Sequence, residues 1–154
     1  MNNMGERYCA LALGIVFLVL GFAGFIPGLV TIPAANAPND LYSASPGIYG
    51  TGFGHVFGLF ATNILHDLVH LAVGIVGIGA YIDSRSARLF NRSFAVAYIL
   101  LAVMGLFPLA KTIFGLMPIF GNNVWLNGVT GLIAGYFGFV KPTIAPETAS
   151  NPNI

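Results

Sequence analysis

The chain has 154 residues, of which 56% are hydrophobic and 7% charged, with a formal net charge of +1. A water-facing domain carries about 25% charged residues, so the composition excludes an ordinary soluble surface. The net charge says nothing about nucleic acid, but no basic patch interleaved with aromatics appears, so no nucleic-acid partner is expected. A mean hydropathy of +0.83 instead fits one domain of four membrane spans, at roughly 20 residues each plus connections.

The first apolar window runs from about Tyr8 to Ile26 and stops at Pro27. Its flank Arg7 and the downstream Ala35-Asn36-Ala37 resemble parts of a cleaved signal peptide. The run is longer than the about 7–15 residues of a signal core, and Pro38 follows the supposed cut, so it is read as a retained span. Cys9 is the lone cysteine; it can form no intrachain disulfide and packs as a small apolar residue. Residues 28–52 hold Pro33, Pro38 and Pro46 among Ala, Asn and Ser, which predicts an irregular extracytoplasmic loop. Phe57–Phe60 is short, apolar and broken by glycine. An interfacial or partly re-entrant piece is expected there.

The second span covers about residues 62–82 and ends before Asp83. Ser84–Arg92 carries three arginines and reads as the connection to a third span at about 93–107, which stops at Pro108. Phe114–Phe120 is a second interfacial candidate. The fourth span, about 124–140, ends at Lys141-Pro142. None of these windows has the strict alternation of barrel strands, so all four read as transmembrane helices. Tyr8 and Trp125 suit interfacial anchors. Residues 1–142 form the expected four-helix transmembrane domain, and 143–154 a polar, disordered cytoplasmic tail.

Four spans put the N-terminus, the second connection and the C-terminus on one side. That side holds Arg7, Arg85, Arg88, Arg92 and Lys141, against Lys111 opposite. The positive-inside rule therefore places both termini in the cytoplasm, in a bacterial inner (plasma) membrane or, in a cyanobacterium, a thylakoid. The arginines also offer a weaker contact with anionic headgroups.

The halves echo each other. Gly24-Phe25-Ile26-Pro27 ends the first span and Gly105-Leu106-Phe107-Pro108 the third; Phe57-Gly58-Leu59-Phe60 precedes the second and Phe114-Gly115-Leu116-Met117 the fourth. Aligning Leu65-His66 with Leu126-Asn127 sets His70 on Gly131, Gly74 on Gly135 and Gly77 on Gly138. The expected fold is an all-α polytopic membrane four-helix bundle, built from two parallel-repeat helical hairpins.

The candidate site is the run Asn63-Ile64-Leu65-His66-Asp67-Leu68-Val69-His70. On a helix, Asn63, His66, Asp67 and His70 fall within an arc of roughly 100°, and Gly74, Gly77 and Tyr81 continue the stripe. Small residues admit a neighbouring helix and polar ones bond across the contact, so the stripe faces the bundle. Counting back from Asp83 at about 1.5 Å per residue puts His70 roughly 20 Å deep, in the outer third of a core of about 30 Å. Asn127 comes to a similar level. Gly131, Gly135 and Gly138, with Gly128, make a small-residue ridge on the fourth span for helix contact.

Intramembrane ionisable groups need partners. His66 and His70 can satisfy Asp67, Asn127, Thr130 or backbone carbonyls, which would fix helix register. They can alternatively hold Zn²⁺ or copper as i, i+4 ligands, with His55 as a third. The run His66-Asp67-Leu68-Val69-His70 resembles the H-E-x-x-H of zinc hydrolases, but with the shorter Asp. A haem held between the two is disfavoured, because ligands on one helix approach from one side. A chlorophyll on one histidine, or ion or proton coupling through Asp67, completes the set.

Together, "GFAGFIPG", "FGLF" with "NILHDLVHLAVGIVG", "SRSARLFNR" and "FGLMPIFGNNVWLNG" resemble a family of small bacterial four-span membrane proteins known as a domain of unknown function. The resemblance covers about Arg7 to Val140 and is most specific at Asn63-x-x-His66-x-x-x-His70 followed by Gly74. It implies fold and location, and no activity. Members often have a histidine at the position of Asn127 and an acid near Asn123; the amides here favour hydrogen-bonded contact over a shared metal or haem site. The functional expectation is a non-enzymatic membrane component, a partner in a homo-oligomer or larger assembly. A metal- or cofactor-binding protein using His66 and His70 is the alternative, and a small transporter the third reading; no cofactor is specified.

Overall fold

The computed structural model describes residues 4–32 and 54–141. The expected disordered tail and most of the expected 28–52 loop lie outside these residues. The described part is mostly helical: α1 (Met4–Gly24), α2 (Ile64–Ala80), α3 (Ser84–Gly105) and α4 (Asn122–Gly135), the last continuing as a π-helical segment, Tyr136–Val140. Helices α1 and α3 are long and apolar enough to cross a membrane, and α2 is a shorter apolar helix.

Each helix start has a local cause. The Asn63 carboxamide oxygen accepts from the His66 amide at 2.9 Å and caps α2. Asp83 caps α3 by accepting from the amides of Arg85 and Ser86, satisfying donors that the first turn leaves open. Gly121 precedes α4 with φ 63° and ψ −130°, a conformation open to glycine and not to a residue with a Cβ. Helices α1 and α3 both end at a glycine three residues before a proline, Gly24 before Pro27 and Gly105 before Pro108.

Two expectations are corrected. The arginine-rich stretch Ser84–Arg92 is not a connection: it is the opening of α3, and the connection shrinks to Tyr81–Asp83. Hydropathy falls where arginines cluster, but the Asp83 cap and the good helix propensity of Arg, Ala and Leu start the helix anyway. The fold also contains a small antiparallel sheet, β1 (Val30–Thr31), β2 (Gly54–Val56) and β3 (Phe60–Thr62), with Val30 opposite Val56 and His55 opposite Ala61. Phe57–Leu59 is thus the turn of a hairpin whose second strand begins at Phe60, with φ values of 54° at Phe57 and 69° at Gly58. The same pair of signs recurs at Phe114 (57°) and Gly115 (90°), in a segment of successive turns before α4.

Helix α1 lies along α2, and α3 along α4, with α1 also against α3. At the centre, Phe17 is fully buried and meets His70, Phe94 and Tyr98 edge-on at 4.9–5.2 Å between ring centres. Phe94 and Tyr98 stack at 3.8 Å. One aromatic hub therefore joins α1, α2 and α3. The sheet closes one end of the bundle, where Val56 packs with Leu20 and Ala23 of α1.

Glycines set the spacing of the first hairpin. A Cβ on Gly74 would come within 2.6 Å of the Leu18 backbone nitrogen, and one on Gly14 within 2.6 Å of the Ile78 nitrogen. Gly77 meets the Gly14 Cα in the same way, and Gly21 the backbone of Asp67 and Leu71. The second hairpin is tight at its turn, where a Cβ on Gly105 would clash with the Ile119 carbonyl, and looser along the length of α3 and α4. Cβ atoms on Gly131 and Gly138 would come within 3.0–3.2 Å of the α3 backbone, while one on Gly135 would meet Ala95 at an ordinary 3.6 Å.

Candidate functional site

All five polar residues singled out from the sequence are buried: Asn63, His66, Asp67, His70 and Asn127. They do not form one bonded set. The Asp67 carboxylate turns toward the end of α1, where a Cβ on Gly24 would overlap it, and accepts from the Thr62 hydroxyl at 2.5 Å. The two imidazoles lie against each other, tilted by 54°, with ring centres 4.2 Å apart. His70 faces Phe17, and His66 lies beside the Ala61 carbonyl. The neighbouring positions 66 and 67 therefore serve different contacts, as a helical step of about 100° dictates.

The amides bond across elements. Asn63 caps α2 with its oxygen and donates its Nδ2 to the Leu116 carbonyl at 2.8 Å. Asn123 of α4 donates to the Ala61 carbonyl of β3 at 2.7 Å and to the Pro118 carbonyl at 3.0 Å. Asn127 is buried one turn further along α4, and its Nδ2 has no hydrogen-bond partner among the described residues. The same holds for His66 Nδ1 and Asn123 Oδ1. Thr130, a candidate partner for the histidines, spends its hydroxyl on the Leu126 carbonyl of its own helix at 2.6 Å.

Among the described residues, no three of His, Cys, Asp or Glu come together as a metal could require. His66 and His70 are adjacent, but His55, the proposed third ligand, sits on β2 opposite Ala61 and completes no such group.

A second polar cluster, not singled out from the sequence, lies at the other end of α1. Glu6 is fully buried and paired with Arg88 of α3 at 2.5 Å, with the Lys141 ammonium at 4.0 Å. Asn91 donates to the Glu6 carbonyl at 3.0 Å. Arg88 also donates to the Lys141 carbonyl, Arg92 to the Gly138 carbonyl at 2.8 Å, and Arg7 to the Tyr81 carbonyl at 2.7 Å. Three cations thus meet carbonyls at or just beyond helix C-termini, where the backbone has unpaired acceptors and the dipole favours positive charge. Between these connections, Asp83 is fully exposed, and the bonds it accepts from Ser86 hold its carboxyl below the usual carboxylate range.

A family model described as "Domain of unknown function (DUF4383)" matches residues 7–140. The chain belongs to this family. The DUF4383 match covers all four helices from Arg7 onward and both polar clusters except Glu6 and Lys141. No curated protein and no solved structure matches the chain.

Of the residues that build these clusters, Thr62, Glu6 and Asn91 carried no separate weight in the sequence, Arg88 counted only toward topology, and Asn123 only through the family resemblance. Thr62 is the first residue of the predicted second span and Asn123 immediately precedes the fourth, which is the one signal that could have marked them. Glu6 lies two residues before the first apolar window, where a carboxylate reads as a solvated flank.

Proposed function

We propose that the chain is a four-span integral membrane protein of a bacterial plasma membrane, non-enzymatic, working as a fastened helical component of a larger assembly. One relationship carries the membrane reading. Glu6 and Gly24 lie 18 residues apart on α1, about 27 Å at 1.5 Å per residue, and each belongs to one of the two polar clusters. That separation matches a hydrocarbon core of about 30 Å. Between them, Ile15, Val16, Val19 and Phe22 of α1 are exposed, an outward face that suits acyl chains and not water. On this reading both termini and the arginines face the cytoplasm, and the sheet and histidine end faces outward.

The non-enzymatic reading is supported by how the cluster spends its polar groups. Thr62 to Asp67, Asn63 to Leu116 and Asn123 to Ala61 each tie one element to another, which is the use small polar groups find between membrane helices. The paired turns at Phe57-Gly58 and Phe114-Gly115 and the matching helix ends at Gly24 and Gly105 support an origin in two duplicated hairpins.

The membrane reading is tested by carbonate extraction and by labelling single cysteines in a Cys9→Ser background. Asn122→Cys should react from outside intact cells and Arg85→Cys only after permeabilisation; extraction as a soluble protein would end it. For the assembly reading, a native gel after mild solubilisation should show a species larger than monomer, and monomer alone would count against it. Bound metal or a visible absorption band lost on His70→Ala would favour a cofactor protein instead.

A further inference from the structure

We propose that the outer seam between α3 and α4 binds one anionic phospholipid, with an acyl chain along the seam and the phosphate on Arg92. The inference rests on the membrane reading and goes beyond it by naming a ligand. The seam holds an apolar hollow of about 710 Å³, within the roughly 300–1,000 Å³ of small-molecule sites. Its floor is Ala95, Gly131 and Gly135, and Leu100, Leu132 and Phe139 stand around it. The floor is low because the second hairpin does not close as the first does: a Cβ on Gly135 would still meet only Ala95, at 3.6 Å.

Length and charge select the occupant. Along α4 and its π-helical continuation the lining runs from Gly131 to Val140, about 12–14 Å at 1.5 Å per α-helical residue and somewhat less beyond. One leaflet contributes about half of a 30 Å core, so the hollow is as long as one leaflet's acyl region. Its end lies at the cationic cluster. There Arg88 and Lys141 are turned to Glu6, whereas Arg92 is exposed and holds its guanidinium 5.4 Å over the ring of Phe139, itself part of the lining. Its Nε is held by the Gly138 carbonyl at 2.8 Å, which fixes the group at the mouth of the seam. A second copy docked symmetrically on this face would bring like charges together at Arg85 and Arg92, both exposed. A phosphate finds a partner there instead.

The test is native mass spectrometry of the purified full chain in neutral detergent, titrated with phosphatidylglycerol or with phosphatidylcholine of the same chains. One arginine near a membrane surface supports a preference of about fivefold for the anionic lipid. One phosphatidylglycerol should be retained with that preference, and Arg92→Gln should reduce it to the phosphatidylcholine level. Gly135→Leu, and separately Leu100→Trp on the exposed side of α3, should lower binding of both lipids by filling the hollow. Equal retention of the two lipids, a preference that survives Arg92→Gln, or a dimer that Leu100→Trp dissociates would overturn the proposal. Carbonate extraction separates this from failure of the membrane reading: a chain that stays in the membrane pellet without lipid preference loses only the lipid site.

Discussion

Glu6 Oε1 and Arg88 Nη2 lie 2.5 Å apart across 82 positions of sequence, with Glu6 fully buried. This pair ties the first turn of α1 to the second turn of α3 and so joins the two hairpins. Removing Arg88 leaves the Glu6 carboxylate buried, which costs about 3 kcal/mol or more, whereas removing Glu6 leaves the half-buried Arg88 without its carboxylate. Glu6→Ala and Arg88→Ala should therefore each lower the unfolding midpoint in detergent. Glu6→Met combined with Arg88→Leu should recover much of the loss, since it removes both charges at once.

Thr62→Val keeps the shape of the side chain and removes the donor to Asp67. A hydrogen bond to a charged group contributes about 1.5–3 kcal/mol, and the loss should appear as destabilisation of that order. Valine at 62 together with Asp67→Asn should be less than additive, because both changes act on one contact. A fully additive pair in a double-mutant cycle would show that Thr62 and Asp67 act independently.

Gly74→Ala and Gly135→Ala should behave oppositely. At 74 the new methyl meets the Leu18 backbone at 2.6 Å, and forcing helices apart costs about 1–3 kcal/mol. At 135 it meets only the Ala95 Cβ at 3.6 Å, so the change should be neutral or stabilising, as Gly to Ala in a helix is worth up to about 1 kcal/mol. Thermal melts of the two variants in one detergent check the contrast.

Asp83 gives a pH dependence with a definite sign. Its carboxyl is held low by the bonds it accepts in the folded chain, so its stabilising effect is present above its unfolded value and is lost as pH falls through the folded one. The amides of Arg85 and Ser86 should lose exchange protection below the usual carboxylate range and keep it at neutral pH. Asp83→Ala should abolish that pH dependence.

The helices were legible because long apolar windows, closed by Pro27 and Pro108, leave little else for the chain to form. Their limits were less so: α3 begins at Ser84 rather than near Ser93 because Asp83 and the helix propensity of the stretch outweigh its charge. The strands have two or three residues each, too short for an alternating pattern to register. Burial of His66 and His70 followed from their spacing. The partner of Asp67 did not, since Thr62 lies just ahead of the helix and reaches it through a bend that no periodicity encodes. Gly14 and Gly21 were hidden by the composition of the first window, where a glycine at a helix contact looks like any other.

The carboxamide of Asn63 works in two directions: its oxygen starts α2, while its nitrogen holds the carbonyl of Leu116, 53 residues later. That bond can form only once the chain has grown past the third helix. Biogenesis acquires an order from this one side chain, with the first hairpin sealed at its sheet end only after the second has arrived.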